Sequence, residues 1–151
     1  SEDPCFIFNV TMQNHSAYTS EYDNFTPDIT VDGADSFALN TYLSLLKLSD
    51  AALERLITYL SQVEEETVLV FFGDHQPAVE SEFVEAMTGY SMNAMPQSER
   101  QKMYTTPYFI WTNYDIEEQQ NVDMSLNYLS SYAMEVLGLP MTGHQKYLMN
   151  L

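Results

Sequence analysis

One cysteine, five glycines and five basic residues are all that the 151-residue chain holds of those kinds, and each scarcity excludes something. Cys5 has no partner for a disulfide within the chain, so a disulfide-stapled scaffold is ruled out. The glycines are scattered, which leaves no Gly-rich phosphate cradle, and no Gly-x-Ser-x-Gly elbow is present for an acyl-transfer serine. Five Lys plus Arg against 22 Asp plus Glu give a net charge of -17. Such a surface repels phosphate backbones and anionic headgroups, which excludes nucleic acid as a partner and passive adsorption to membranes. It repels an anionic substrate equally, unless a bound cation reverses the sign locally. Long hydrophobic runs are missing too. The longest purely apolar stretch, Val68 to Phe72, is far short of a bilayer crossing, and no signal-peptide pattern occurs. Ser1-Glu2-Asp3-Pro4 runs at once into apolar residues, which reads as the start of a portion of a longer protein.

What is present suits a globular domain. Hydrophobic residues make up 45% and aromatics 13%, enough to build a core in a chain of one-domain length. Cys5 to Val10 reads as a short buried strand, with Cys5 a core residue. Residues 16–36 are rich in Ser, Thr, Asp and Asn with Tyr18, Tyr22 and Phe25 interspersed, a loop long enough to imply a role. Leu39, Tyr42, Leu43, Leu46, Leu53, Leu56, Ile57 and Leu60 then recur at helical spacing. Asp50 falls on that face, as either a break capped by Ser49 or Asp50, or a buried hydrogen-bonded carboxylate.

Thr67 to Phe72 is apolar on both faces, the pattern of a central parallel strand covered by helices. Ser81 to Met87 reads as a helix, 89–100 as a surface excursion and Thr106 to Trp111 as a strand. Met124 to Leu137 reads as a helix stopped by Gly138 and Pro140, and His144 to Leu151 as a short final one. The order predicts an α/β fold with a mainly parallel sheet flanked by helices. Three strands are few for it, so the rest of the sheet is expected outside this chain.

Chemistry gathers where strands end. Asn14-His15 follows the first strand and Asp74-His75 the second. A carboxylate beside an imidazole suits Zn, Mn or a similar divalent ion. The competing reading is a plain turn, with Asp74 capping nearby N–H groups, and two ligands alone do not make a stable site.

FNVTMQNH at Phe8 to His15, YLSLLKLSDAALERLI at Tyr42 to Ile57 and TVLVFFGDHQP at Thr67 to Pro77 resemble the alkaline phosphatase/sulfatase superfamily. Within it they are most similar to the lipoteichoic-acid-synthase-like phosphoglycerol transferases. YTTPYFIWTNYD at Tyr104 to Asp115 and SLNYLSSYAMEVLGLP at Ser125 to Pro140 extend the likeness over nearly the whole chain. The resemblance implies that residues 1–151 are the C-terminal part of an extracytoplasmic catalytic domain, anchored by upstream membrane helices, with this portion itself soluble. It implies Asp74 and His75 as metal ligands, Mn2+ foremost and Mg2+, Ca2+ or Zn2+ as alternatives. His15 is implied as the active-site histidine at the phosphate or sulfate group. The family's Thr nucleophile and its first acidic ligand have no counterpart here, so the pair is expected to be empty or weakly occupied and this portion alone inactive. The implied reaction passes a phosphoryl group through the Thr to an acceptor in cell-envelope polymer synthesis. Its implied partners are a phosphatidylglycerol-like lipid or glycopolymer, the remaining part of the domain and, through exposed edges, a second copy of the chain. A sulfatase or phosphodiesterase using water, and a non-catalytic binding module, are the rival readings. Gln76-Pro77 after the Asp-His pair and Ser16-Ala17-Tyr18 after His15 depart from the family pattern, which leaves headgroup and acceptor open.

Overall fold

Apolar residues at three-and-four spacing make the longest element. In the computed structural model, which describes residues 4–150, they form a single helix, α1 (Phe37–Leu60). Ser36 opens it, its Oγ accepting the Leu39 N–H at 3.0 Å. The helix runs unbroken through Ser49 and Asp50, and Asp50 is exposed. Both readings of Asp50 are therefore corrected. An aspartate inside a helix costs only about 0.7 kcal/mol of propensity, and one facing water carries no desolvation cost.

The strands among the described residues are β1 (Val68–Phe72) and β2 (Tyr108–Thr112). They pair antiparallel, Val68 opposite Thr112 through to Phe72 opposite Tyr108. Helix and strand content match the expected α/β class, but the mainly parallel sheet does not appear among the described residues. A strand apolar on both faces reports how it is covered and carries no information about the direction of its neighbour. Across the ladder Phe71 stacks on Phe109, ring centroids 5.2 Å apart, which is the kind of pair that holds a register.

α2 (Ser81–Thr88) ends at Gly89, whose φ of 74° places it in the left-handed region with its N–H on the Glu85 carbonyl. α3 (Gln97–Lys102) begins inside the stretch 89–100 expected to be a surface excursion and runs just past it. The helix expected from Met124 is shorter, a 3-10 turn (Leu126–Tyr128) leading into α4 (Leu129–Val136). α5 (Gly143–Leu148) starts with a capping box between Thr142 and Gln145.

Cys5 to Val10 forms no strand, and Cys5 is exposed rather than in the core. Phe6 is 88% exposed and Ile7, Phe8 and Val10 stand in water beside it. A strand is held by its neighbours' N–H and C=O groups, and among the described residues none pairs with this one.

The chain divides into two compact units. One comprises residues up to 56 with 74–106 and buries Tyr18, Ala38, Leu39 and Met95. The other comprises 57–73 with 107 onward and buries Leu129 and Ala133.

Candidate functional site

Asp74, His75 and His15 all belong to the first unit. Asp74 and His75 follow β1 directly in the chain. Asp74 Oδ1 accepts the His75 backbone N–H at 2.9 Å, so the capping turn is formed and one carboxylate oxygen is engaged in it. The other, Oδ2, lies 3.4 Å from His75 Nε2. His75 Nδ1 is 2.9 Å from the Gln76 carbonyl oxygen. A carbonyl can only accept, so Nδ1 carries the proton, and in the neutral ring Nε2 keeps its lone pair.

This arrangement fits a divalent ion. Donors about 2.1 Å from a tetrahedral centre are separated by roughly 3.4 Å, the spacing of Oδ2 and Nε2 here. Ligand histidines generally donate their other ring N–H to a carbonyl or carboxylate, as His75 does to Gln76. Both side chains are well exposed, so a ligand reaches them freely. Among the described residues no group of three or more His, Cys, Asp or Glu gathers to complete a shell.

His15 is exposed and repeats the device. Its Nδ1 donates to the Ser16 carbonyl at 2.7 Å, leaving Nε2 as the reactive nitrogen. It is not drawn into one donor cluster with Asp74 and His75. Instead it lines a shallow open groove of about 340 Å³, shared with Met12, Gln13, Tyr18, Tyr22, Phe25 and Leu48 among others.

That groove is built by the long loop and by α1. Ser44 Oγ, buried in the helix, accepts the N–H groups of Asp28 and Ile29, each at 3.0 Å, and donates to the Asn40 carbonyl. Asn40 Oδ1 accepts the Val31 N–H, and Lys47 Nζ pairs with the Asp28 carboxylate. The hydrogen bond and charge of Lys47 hold the Asp28 carboxyl below its ordinary 3.8. Asn40, Ser44 and Lys47 are three or four residues apart and share one helix face. Gln13 and Asn14 reach the same helix through Ser49. Tyr18 is buried, its ring 5.4 Å from that of Tyr42 and its hydroxyl donating to the Asn14 carbonyl. Burial, with a smaller effect of Tyr42, pushes the Tyr18 phenol up, so it stays a neutral donor. The aromatics of the loop were expected to pack it down, as Tyr18 does on Tyr42; the polar supports were not, although the spacing at 40, 44 and 47 was visible in the sequence.

A family model described as Sulfatase matches residues 1–139. A Rhizobium meliloti (strain 1021) protein named for cyclic beta-1,2-glucan modification is 34% identical over 122 residues, 74% of this chain and 18% of that protein. An uncharacterised protein of Haemophilus influenzae (strain KW20 / Rd) is 28% identical over 144 residues, 91% of this chain and 24% of that one. The chain thus spans between 18% and 24% of the length of these curated relatives. Among solved structures, the Streptococcus pyogenes phosphoglycerol transferase GacH in complex with sn-glycerol-1-phosphate shares the fold. The TM-score is 0.60 at 24% identity, over 90% of this chain and 33% of that one.

Proposed function

The chain belongs to the sulfatase family, and from that membership we propose that it is the C-terminal portion of a metal-dependent phosphoglycerol transferase of the lipoteichoic-acid-synthase type. The observation that carries the proposal is the Asp74–His75 pair, with Oδ2 and Nε2 at metal-edge spacing and the tautomer set by Gln76. The two residues would hold a divalent ion, Mn2+ foremost and Mg2+, Ca2+ or Zn2+ as alternatives, with further ligands from outside this chain. Bound there, the ion would supply positive charge to a non-bridging oxygen of the ester and favour the ionised nucleophile. A protein with a net charge of -17 needs such a charge before it can hold an anionic substrate.

The nucleophile of this reading is a Thr elsewhere in the longer protein, which carries the phosphoryl group covalently until an acceptor hydroxyl takes it. Protonated on both ring nitrogens, His15 would keep Nδ1 on the Ser16 carbonyl and donate from Nε2 to the transferred group or its leaving oxygen, a role worth typically about 10²- to 10⁴-fold. The transferase name of GacH and the glucan-modifying name of the Rhizobium relative favour group transfer over hydrolysis by water. No helix among the described residues is long and apolar enough to cross a membrane, so anchoring on the extracytoplasmic face would come from other parts of the protein.

The test is Asp74→Ala and His75→Ala in the full-length protein, with bound metal measured by elemental analysis beside phosphoglycerol release. Each variant is expected to lose metal and at least about 100-fold in turnover. Turnover at the unmutated rate with metal still bound would remove the assignment. Product appearing only as free glycerol phosphate, whatever acceptor is offered, would make the enzyme a hydrolase.

A further inference from the structure

We infer that Gln76 is a positioning residue of the metal pair, its side chain holding in place the carbonyl that orients His75. The inference rests on the proposed metal site and concerns what keeps the imidazole of that site aimed. His75 stands in a stretch, 73–80, that forms neither helix nor strand. With 69% of its side chain in water, packing does little to fix the ring. The hydrogen bond from Nδ1 to the Gln76 carbonyl, 2.9 Å long, takes that role. Such a bond holds the ring only as firmly as the carbonyl itself is held.

That carbonyl belongs to the peptide group joining Gln76 to Pro77. Proline has no N–H, so the main chain cannot anchor this group from its other side. A residue before proline is confined to extended backbone, which narrows the carbonyl's direction without fixing it. The side chain supplies the remaining hold: Gln76 Nε2 donates to the carbonyl of Thr105, 29 residues on. Thr105 is itself secured, its N–H on the Lys102 carbonyl at 3.1 Å in the turn that closes α3. Behind it Arg100 Nη2 donates to the Met92 carbonyl at 2.9 Å, and Met95 is buried. A carbonyl only accepts, so the tie needs a donor, which the amide of glutamine has and a glutamate carboxylate lacks. A second fastening lies further along the same segment, where Glu80 Oε1 accepts the Ser36 hydroxyl at 2.8 Å. It secures the approach to α2 and does not touch the Gln76 peptide group. The two fastenings therefore distinguish a specific hold on the carbonyl from general stiffening of the segment.

The experiment titrates the full-length protein with Mn2+, counting the free ion by electron paramagnetic resonance. Gln76→Met keeps the length of the side chain and removes the donor. It should weaken Mn2+ binding about 10-fold, the low end of the loss seen when a ligand's outer partner is removed, because the carbonyl itself remains. Turnover should return to the unmutated rate once Mn2+ saturates, so that the ion requirement shifts and the maximal rate does not. Gln76 is exposed and Gln76→Ala removes the same donor, so the two variants should agree. Glu80→Ala releases the other fastening and should bind Mn2+ like the unmutated protein. Unchanged Mn2+ affinity in both Gln76 variants overturns the inference, as does an equal loss in Glu80→Ala. A Gln76→Met turnover that saturating Mn2+ does not recover overturns it too, since the residue would then act on more than the hold on the ion. The metal assignment fails separately: it falls, and this inference with it, if His75→Ala binds Mn2+ as tightly as the unmutated protein.

Discussion

Asp28 shows how one side chain links this fold to pH. Its carboxylate is held below the ordinary value of 3.8 mainly by the hydrogen bond from Lys47. A depressed folded value means that the pair favours the folded chain above the unfolded carboxyl's pKa, and that the benefit fades as pH falls through the folded one. The urea midpoint of Asp28→Asn should therefore lie below that of the unmutated protein at pH 7, and the two should converge as the solution is acidified below 3.8. Both side chains are more than half exposed, so 0.5 M salt should narrow the gap at pH 7. A gap that widens on acidification would contradict the linkage. At this scale the capping turn at Asp74-His75 was legible in the sequence, because a carboxylate and the next backbone N–H are neighbours wherever the chain goes. The helix ladder of Asn40, Ser44 and Lys47 was not, because periodicity was sought among apolar positions and these are polar.

Among the elements, Asn113 ties the most together. Its Oδ1 accepts the Thr67 N–H at 2.8 Å, and its Nδ2 donates to the carbonyls of Val63 and Glu65, each at 2.9 Å. One amide thus joins the turn after α1 to the first rung of the β1–β2 ladder. Asn113→Ala leaves those groups without it and should cost about 1–3 kcal/mol in denaturant unfolding. Asn113→Asp keeps the acceptor for Thr67 but turns a carboxylate toward two carbonyls, and is expected to be no milder. An aspartate variant as stable as the original would show that Nδ2 contributes nothing. Element positions were largely readable from periodicity, as α1, β1, β2 and α2 show. Strand direction and the pairing of Cys5 to Val10 were not, since both depend on which distant segment lies alongside.

Taken whole, the molecule exposes more surface than its mass predicts. A folded monomer of 17.3 kDa presents about 7,800 Å², whereas this chain presents 11814 Å². The core expected from 45% hydrophobic content is accordingly thin, and Phe6, Ile7, Phe8 and Val10 remain in water. Those side chains are free to meet another surface. Expressed alone, the chain should self-associate, and Phe6→Ser with Phe8→Ser should shift it toward monomer in sedimentation velocity. The net charge of -17 opposes association, so added salt should strengthen it. A monodisperse monomer at high salt would discount these side chains as an adhesive edge.

The loop over the groove has a consequence for how such a protein changes over generations. Asn40 and Ser44 grip it through the backbone N–H groups of Asp28, Ile29 and Val31, groups that every residue but proline supplies. Apart from Tyr18 and Asp28, whose side chains are themselves engaged, residues along the loop can therefore change while its path persists. Point changes at Tyr22 to Phe25 can reshape the groove with the helix beneath inherited unaltered.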